Sequence, residues 1–275
     1  MRRIVAVVTA LVAVGSAACG DAGSAERDGT PVLDLASAEL IDLTHAWDGS
    51  TIYWPTATTR FRLDTLAYGQ TEGGYFYAAN AFSTPEHGGT HLDAPIHFAE
   101  GGQAADALPL ERLVGPAVVI DIRVQAEADR DYVLTPADVL AFEQQHGPIA
   151  AGSIVLLRTG WSRHWPNAAA YLGSDVPGDA SNLHFPAYGE ASAHLLIDER
   201  QVAALGADVA SIDHGASTDF MVHRIANGAG APGFENLMNL DRLPPTGAWI
   251  IALPMKIAGG SGGPLRAIAA VPRSN

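Results

Sequence analysis

Residues 87–97 read HGGTHLDAPIH, and this stretch constrains the fold more than any other part of the chain. Gly88 and Gly89 permit a tight turn, while Pro95 opposes a helix running through the segment. The pattern predicts His87 at the end of one element, a glycine turn, and then His91 and Asp93 two apart on an extended piece. Period two sends both side chains to one face. Pro95 then redirects the backbone so that His97 approaches from another side. Ten histidines over 275 residues leave less than one for an average eleven-residue window, yet this window holds three. Imidazoles and a carboxylate that converge suit zinc or manganese and leave coordination positions for water. The alternative, unrelated polar residues on a surface loop, leaves their grouping with two glycines unexplained.

The rest of the chain reads as one mixed α/β domain over residues 32–275, with no internal repeat. Apolar or alternating runs predict strands at Leu40–Leu43, Arg60–Leu66, Tyr75–Phe82, Ala117–Val124, Ile154–Arg158, Val209–Ile212, Ile250–Leu253 and Ala267–Val271. Helices are fewer. The clearest begins at Thr135, a cap followed by Pro136 and Asp138, and ends at Gly147-Pro148. Others are expected over Ala187–Leu196, Glu199–Leu205 and Phe220–Ala226.

The first 19 residues combine a basic start (Arg2, Arg3), an apolar run from Ile4 to Val14 and a small cluster before Cys19. This is the pattern of an export signal, too short to span a bilayer permanently. Cys19 resembles the lipid-modified residue of a bacterial lipoprotein; ordinary secretion with Cys19 near the cleavage point is the alternative. As the only cysteine it forms no internal disulfide. Residues 20–31 are small and polar and read as a flexible linker. A formal charge of −14 with 16 scattered Lys and Arg argues against a nucleic-acid partner.

HGGTHLDAPIH matches HxGTHxDxPxH, and on that motif the chain resembles the cyclase family, which includes formamidases and isatin hydrolases. The resemblance extends through DLTHAWDGSTIYWP, SIDHGASTDF, GFENLMNL and LPMKIAGGSGGPLRAIA. It implies a swivelling β/β/α fold and a usual homo-oligomer. By resemblance, His87, His91 and Asp93 hold a divalent metal, Mn2+ or Zn2+, and Asp93 bridges to a second ion where two are present. His97 is then the acid/base. His223 and Glu235, read as lying on a helical stretch, look like the remaining ligands, with His214 as a rival. Trp54 and Ser217 resemble substrate-contacting and water-ordering residues; core packing and helix capping are their competing roles.

The implied reaction is hydrolysis of an amide or lactam C–N bond in a small molecule. The long C-terminal match resembles the isatin-hydrolase branch, which converts isatin to isatinate, more than the arylformamidase branch that hydrolyses N-formylkynurenine. An exported protein that binds metal or ligand without catalysis is the alternative from another class. Two further letter patterns lack the context their chemistry needs. GGSGG at 259–263 is literally GxSxG, but no Asp or His follows it as a serine hydrolase requires. GAGAPG at 228–233 follows a predicted helix and carries Pro232, unlike a dinucleotide loop.

Overall fold

A computed structural model describes residues 35–273, and the export signal and linker read from residues 1–31 lie outside them. The strands are β1 (Ala38–Asp42), β2 (Arg62–Gln70), β3 (Phe76–Ser83), β4 (His91–Asp93), β5 (Val114–Asp121), β6 (Val133–Leu134), β7 (Ile154–Arg158), β8 (Ala187–Tyr188), β9 (Ala204–Ala207), β10 (Gly233–Glu235), β11 (Thr246–Pro254) and β12 (Gly262–Pro272). Between them lie the helices α1 (Arg123–Ala128), α2 (Pro136–His146), α3 (Ala168–Leu172), α4 (Glu190–His194) and α5 (Met221–Gly228). None of the described helices is long and apolar enough to cross a membrane.

The main sheet runs β1-β12-β11-β5-β7-β9-β10-β4, and β4 returns to pair with β12. Seven strands thereby close into a ring with β1 appended, which removes the open edges of a flat sheet. Closure depends on the length of β12. Its first residues, Gly262–Pro264, pair with β4, while Ile268–Pro272 pair with β1. Strands β5, β7, β9 and β10 are parallel neighbours; β4, β11 and β12 join antiparallel.

Strand periodicity divides the apolar residues between two cores. Leu92, Val119, Ile154, Leu156, Phe234, Ile250 and Ala269 meet inside the ring. Their neighbours Val118, Ile120, Val155, Leu157 and Leu205 point outward onto Phe142 of α2, Tyr171 of α3 and Val222 of α5. Both faces are buried, so β5 and β7 read as continuous apolar runs. Leu92 points into the ring, so its flanking neighbours His91 and Asp93 face outward together.

The mixed, strand-rich α/β unit expected from the sequence is observed. Helix α2 carries the anticipated capping box, Thr135 against Asp138, and ends before Gly147. Four local assignments are corrected. Glu199–Leu205 is not a helix: Gln201 takes a left-handed φ of 53°, and β9 then starts at Ala204, buried between β7 and β10. Val209–Ile212 lies past the end of that strand. Ala187 and Tyr188 bridge to β6, so the helix following them begins at Glu190. Strand β5 stops at Asp121, and Val124 falls in α1.

Candidate active site

The backbone of β4 fixes the centre of the site. Gly88 and Gly89 adopt φ of 149° and 53°. A Cβ on Gly88 would lie 2.1 Å from Tyr53, and one on Gly89 would lie 2.9 Å from Trp47, so side chains at either position are barred by space as well as by φ. The buried Thr90 donates to the Asn236 carbonyl at 2.6 Å and accepts from the His45 amide at 2.9 Å, pinning the turn to the sheet. Pro95 opens a 3-10 turn, Pro95–His97, that swings His97 back over His87, where the rings stack with centroids 3.8 Å apart.

Two further elements complete the cluster. Strand β10 pairs with β4 in a register that sets Glu235 opposite His91. Helix α5 supplies His223, and Asp213 positions it by accepting from the Val222 and His223 amides and from His223 Nδ1 at 2.6 Å. His91 is oriented by its own hydrogen bond, Nδ1 to the Gly89 carbonyl at 3.0 Å. Such outer partners fix which imidazole nitrogen points inward, here Nε2 of His91 and of His223.

Asp93, 1% exposed, stands at the centre. Its Oδ1 lies 2.5 Å from His87 Nδ1 and 3.2 Å from His91 Nε2, and its Oδ2 lies 3.1 Å from His223 Nε2. Glu235 approaches the same nitrogens, 3.2 Å from His223 and 3.5 Å from His91. Donor atoms of His91, Asp93 and Glu235 all lie within 4.8 Å of one another, as do those of His87, Asp93 and His97. The two groups share Asp93. Two buried carboxylates facing convergent imidazoles form a donor set that fits a divalent cation of the zinc or manganese type.

Electrostatics follow from burial and these contacts. Burial opposes ionisation of Asp93, but His91, His87 and His223 outweigh it and hold its carboxyl well below the ordinary value. Glu235 is pushed up, by burial and then by Asp93. Burial would lower His91, yet Asp93 and Glu235 lift it to about 9, and His223 is raised for the same reason with Asp213 contributing most. His97 goes the other way, to about 4, mainly through burial, with the neighbouring imidazoles adding to it. Any cation entering here displaces protons from His91 and His223. Metal affinity should therefore climb as pH rises from 6 to about 9 while His91 gives up its proton, roughly tenfold per unit for each proton released, with His223 adding to the slope in the same direction. Chelator competition with zinc across that range checks this; a flat profile would contradict it.

The cluster forms the floor of a cavity of about 240 Å³ whose walls include Ile52, Tyr53, Trp54, Phe98 and Phe220. Trp54 packs edge-on against Phe185 and Phe220.

The Cyclase family model matches residues 41–214, which spans the whole HxGTHxDxPxH segment and the strands that carry it. The chain belongs to the cyclase family. Within it, the isatin hydrolase of Roseibium aggregatum is 36% identical over 209 residues, covering 73% of this chain and 78% of that protein. The kynurenine formamidase of Salinibacter ruber is 30% identical, covering 83% and 96%. The solved structure of isatin hydrolase A from Ralstonia solanacearum superposes with a TM-score of 0.78 at 36% identity, covering 86% and 93%.

Of the residues that the cyclase-family resemblance singled out, His87, His91, Asp93, His97, His223 and Glu235 converge on one cavity, and Trp54 stands in its wall. Glu235 is on β10 and not on a helical stretch, because Phe234 between its neighbours fills the ring interior. Ser217 does not line the cavity; its hydroxyl accepts from the Phe220 amide at 3.1 Å and stabilises the turn into α5. His214 is likewise outside the cluster. The sequence reading missed Asp213 as the partner of His223, and Phe98 and Phe220 as cavity walls. Asp213 stood beside the rival His214, and the pair of neighbouring residues was a usable signal read for the wrong member.

Proposed function

We propose that this cyclase-family chain is a metal-dependent hydrolase that opens the lactam of isatin to isatinate. The observation that carries the reading is the cavity itself: a cluster of imidazoles and carboxylates under a wall of Trp54, Phe98 and Phe220, which suits a flat aromatic amide presented to a cation. The 36% identity to an isatin hydrolase supports the lactam over a formamide. Arylformamide hydrolysis is the second reading, supported by the formamidase relative that this chain covers almost end to end.

His87, His91, Asp93, His223 and Glu235 would hold one or two ions, Mn2+ or Zn2+. When bound, such a cation polarises a carbonyl and sharpens water as a nucleophile near neutral pH. The protein's own part is orientation and proton transfer. Apolar walls hold the ring against the cluster and exclude bulk water. His97, kept neutral by burial, accepts the proton of the attacking water and returns it to the nitrogen as the C–N bond breaks. Water is thereby divided, with oxygen on the acyl carbon and hydrogen on the amine.

Elemental analysis of the purified protein, joined to assays on isatin and N-formylkynurenine, tests the reading. Stoichiometric divalent metal and faster turnover of isatin are expected. Metal without turnover of either substrate would favour a binding protein instead. We place the folded unit outside the cytoplasm on the strength of the export pattern, either anchored by a lipid on Cys19 or secreted; mass spectrometry of the native protein distinguishes a lipidated from a plain terminus. Assembly as a homo-oligomer is supported by the hairpin β2–β3, which among the described residues pairs only with itself and exposes Leu63, Leu66, Tyr68, Phe76 and Phe82. Sedimentation of the same preparation reads the assembly directly.

A further inference from the structure

The glycine-rich segment 259–263, set aside as a serine-hydrolase pattern, lies against the candidate metal centre. Ser261 Oγ donates to Glu86 Oε2 at 2.6 Å, and the Ser261 amide donates to the same oxygen at 2.9 Å. The other side of the hydroxyl faces His87 Nε2 at 2.8 Å. A serine hydroxyl has one proton, and a carboxylate accepts only, so that proton belongs to Glu86. His87 must then supply the hydrogen of the second contact, from Nε2. Its Nδ1 is left as a lone pair, 2.5 Å from Asp93 Oδ1. Two lone pairs this close repel each other and suit a divalent cation that both can reach.

The flanking glycines show that this contact is built into the backbone. A Cβ at position 260 would lie 2.9 Å from Glu86 Oε1, and one at position 262 would lie 2.6 Å from His87 Cε1 and 2.4 Å from the Leu92 carbonyl. Only a chain without side chains at 260 and 262 can press Ser261 between Glu86 and His87. The segment is also tied to the metal strand, since the Ser261 carbonyl accepts from the Ala94 amide at 2.8 Å and the Gly260 carbonyl accepts from Ala105 at 2.9 Å.

We infer that Ser261 and Glu86 are positioning residues that lock His87 in the Nε2–H tautomer, so that Nδ1 is presented with Asp93 as a ready pair of donors for a divalent cation. The inference rests on the metal-centre reading given above. It assigns a role to GGSGG with no nucleophilic serine: Ser261 acts through His87 and stays outside the reaction. Outer partners of this kind are worth 10- to 100-fold in metal affinity.

The test is zinc affinity of the full chain by chelator competition, with wild type compared to Ser261→Ala and Ser261→Thr, joined to 15N spectra of the His87 ring in the zinc-loaded protein. Ser261→Ala should weaken zinc about 10- to 100-fold, Ser261→Thr should restore most of it by keeping the hydroxyl, and the Nε2–H of His87, held by the serine oxygen in wild type, should exchange with solvent faster in the alanine variant. Melting of the zinc-free proteins shows that both variants are folded. Equal zinc affinity in Ser261→Ala would overturn the inference. So would weakened affinity with the exchange of the His87 Nε2–H unchanged, which would make Ser261 a packing residue only. A wild-type protein that binds no zinc or manganese overturns the metal-centre reading instead, and this inference falls with it.

Discussion

Asp93→Asn should give a folded protein that no longer retains stoichiometric metal and whose kcat/KM on isatin is lower by about a thousandfold or more. Among the described residues, Asp93 is the one carboxylate within reach of His87, His91 and His223 together, and it belongs to both groups of donors that can converge on an ion. Asparagine keeps the shape but removes the charge and puts an NH2 group where an oxygen accepted. The imidazoles around it then lose the anion that raises His91 most and that adds to Asp213 in raising His223. Metal assistance contributes several kcal/mol to carbonyl hydrolysis, and each 1.36 kcal/mol is about tenfold in rate, which sets the expected loss. Elemental analysis and steady-state kinetics on the same sample read both effects, and circular dichroism confirms the fold. Full metal occupancy with more than about a tenth of the activity would remove Asp93 from the centre.

Much of this arrangement was legible because its causes are local. Thr135, Pro136 and Asp138 cap α2 through bonds within one turn. His91 and Asp93 share a face because an extended chain alternates, and Leu92 between them fills the ring. Gly88 and Gly89 announce their turn through φ values that other residues rarely adopt. What stayed hidden depends on partners far along the chain. Glu199–Leu205 was read as a helix, yet its last two residues, Ala204 and Leu205, open β9, whose conformation comes from burial between β7 and β10. Closure of the ring by β12 onto β4 joins residues about 170 apart in sequence, and no local pattern reports it. Ser217 neither lines the cavity nor caps α5, whose N-cap is Phe220; its hydroxyl bonds within the turn before the helix, a local contact that the letters do not distinguish from a site role. The chemistry was visible in one short motif, while the groups that orient it, Asp213 among them, come from segments that only the fold brings near.

His97→Gln should lower kcat on isatin by about 10²- to 10⁴-fold while metal content and KM stay close to wild type. The prediction separates two roles that the geometry permits. His97 stacks on His87 at 3.8 Å, and its ring atoms come within 4.8 Å of the Asp93 and His87 donors, so it is placed either to ligate or to carry a proton. Burial and the adjacent imidazoles push it down to about 4, so it is neutral at pH 7 and able to accept a proton. Glutamine retains a polar group of similar reach but cannot be protonated in this range. If His97 carries the proton, the ion stays and the chemical step slows. With the metal held saturating by excess free ion, the wild-type rate should also hold from neutrality down towards pH 5 and fall as pH drops through about 4, where the base becomes protonated, and the variant should lack that limb. Elemental analysis beside a pH–kcat profile of both proteins makes the distinction. Loss of the metal from His97→Gln would identify a ligand, and the proton would then need a different carrier.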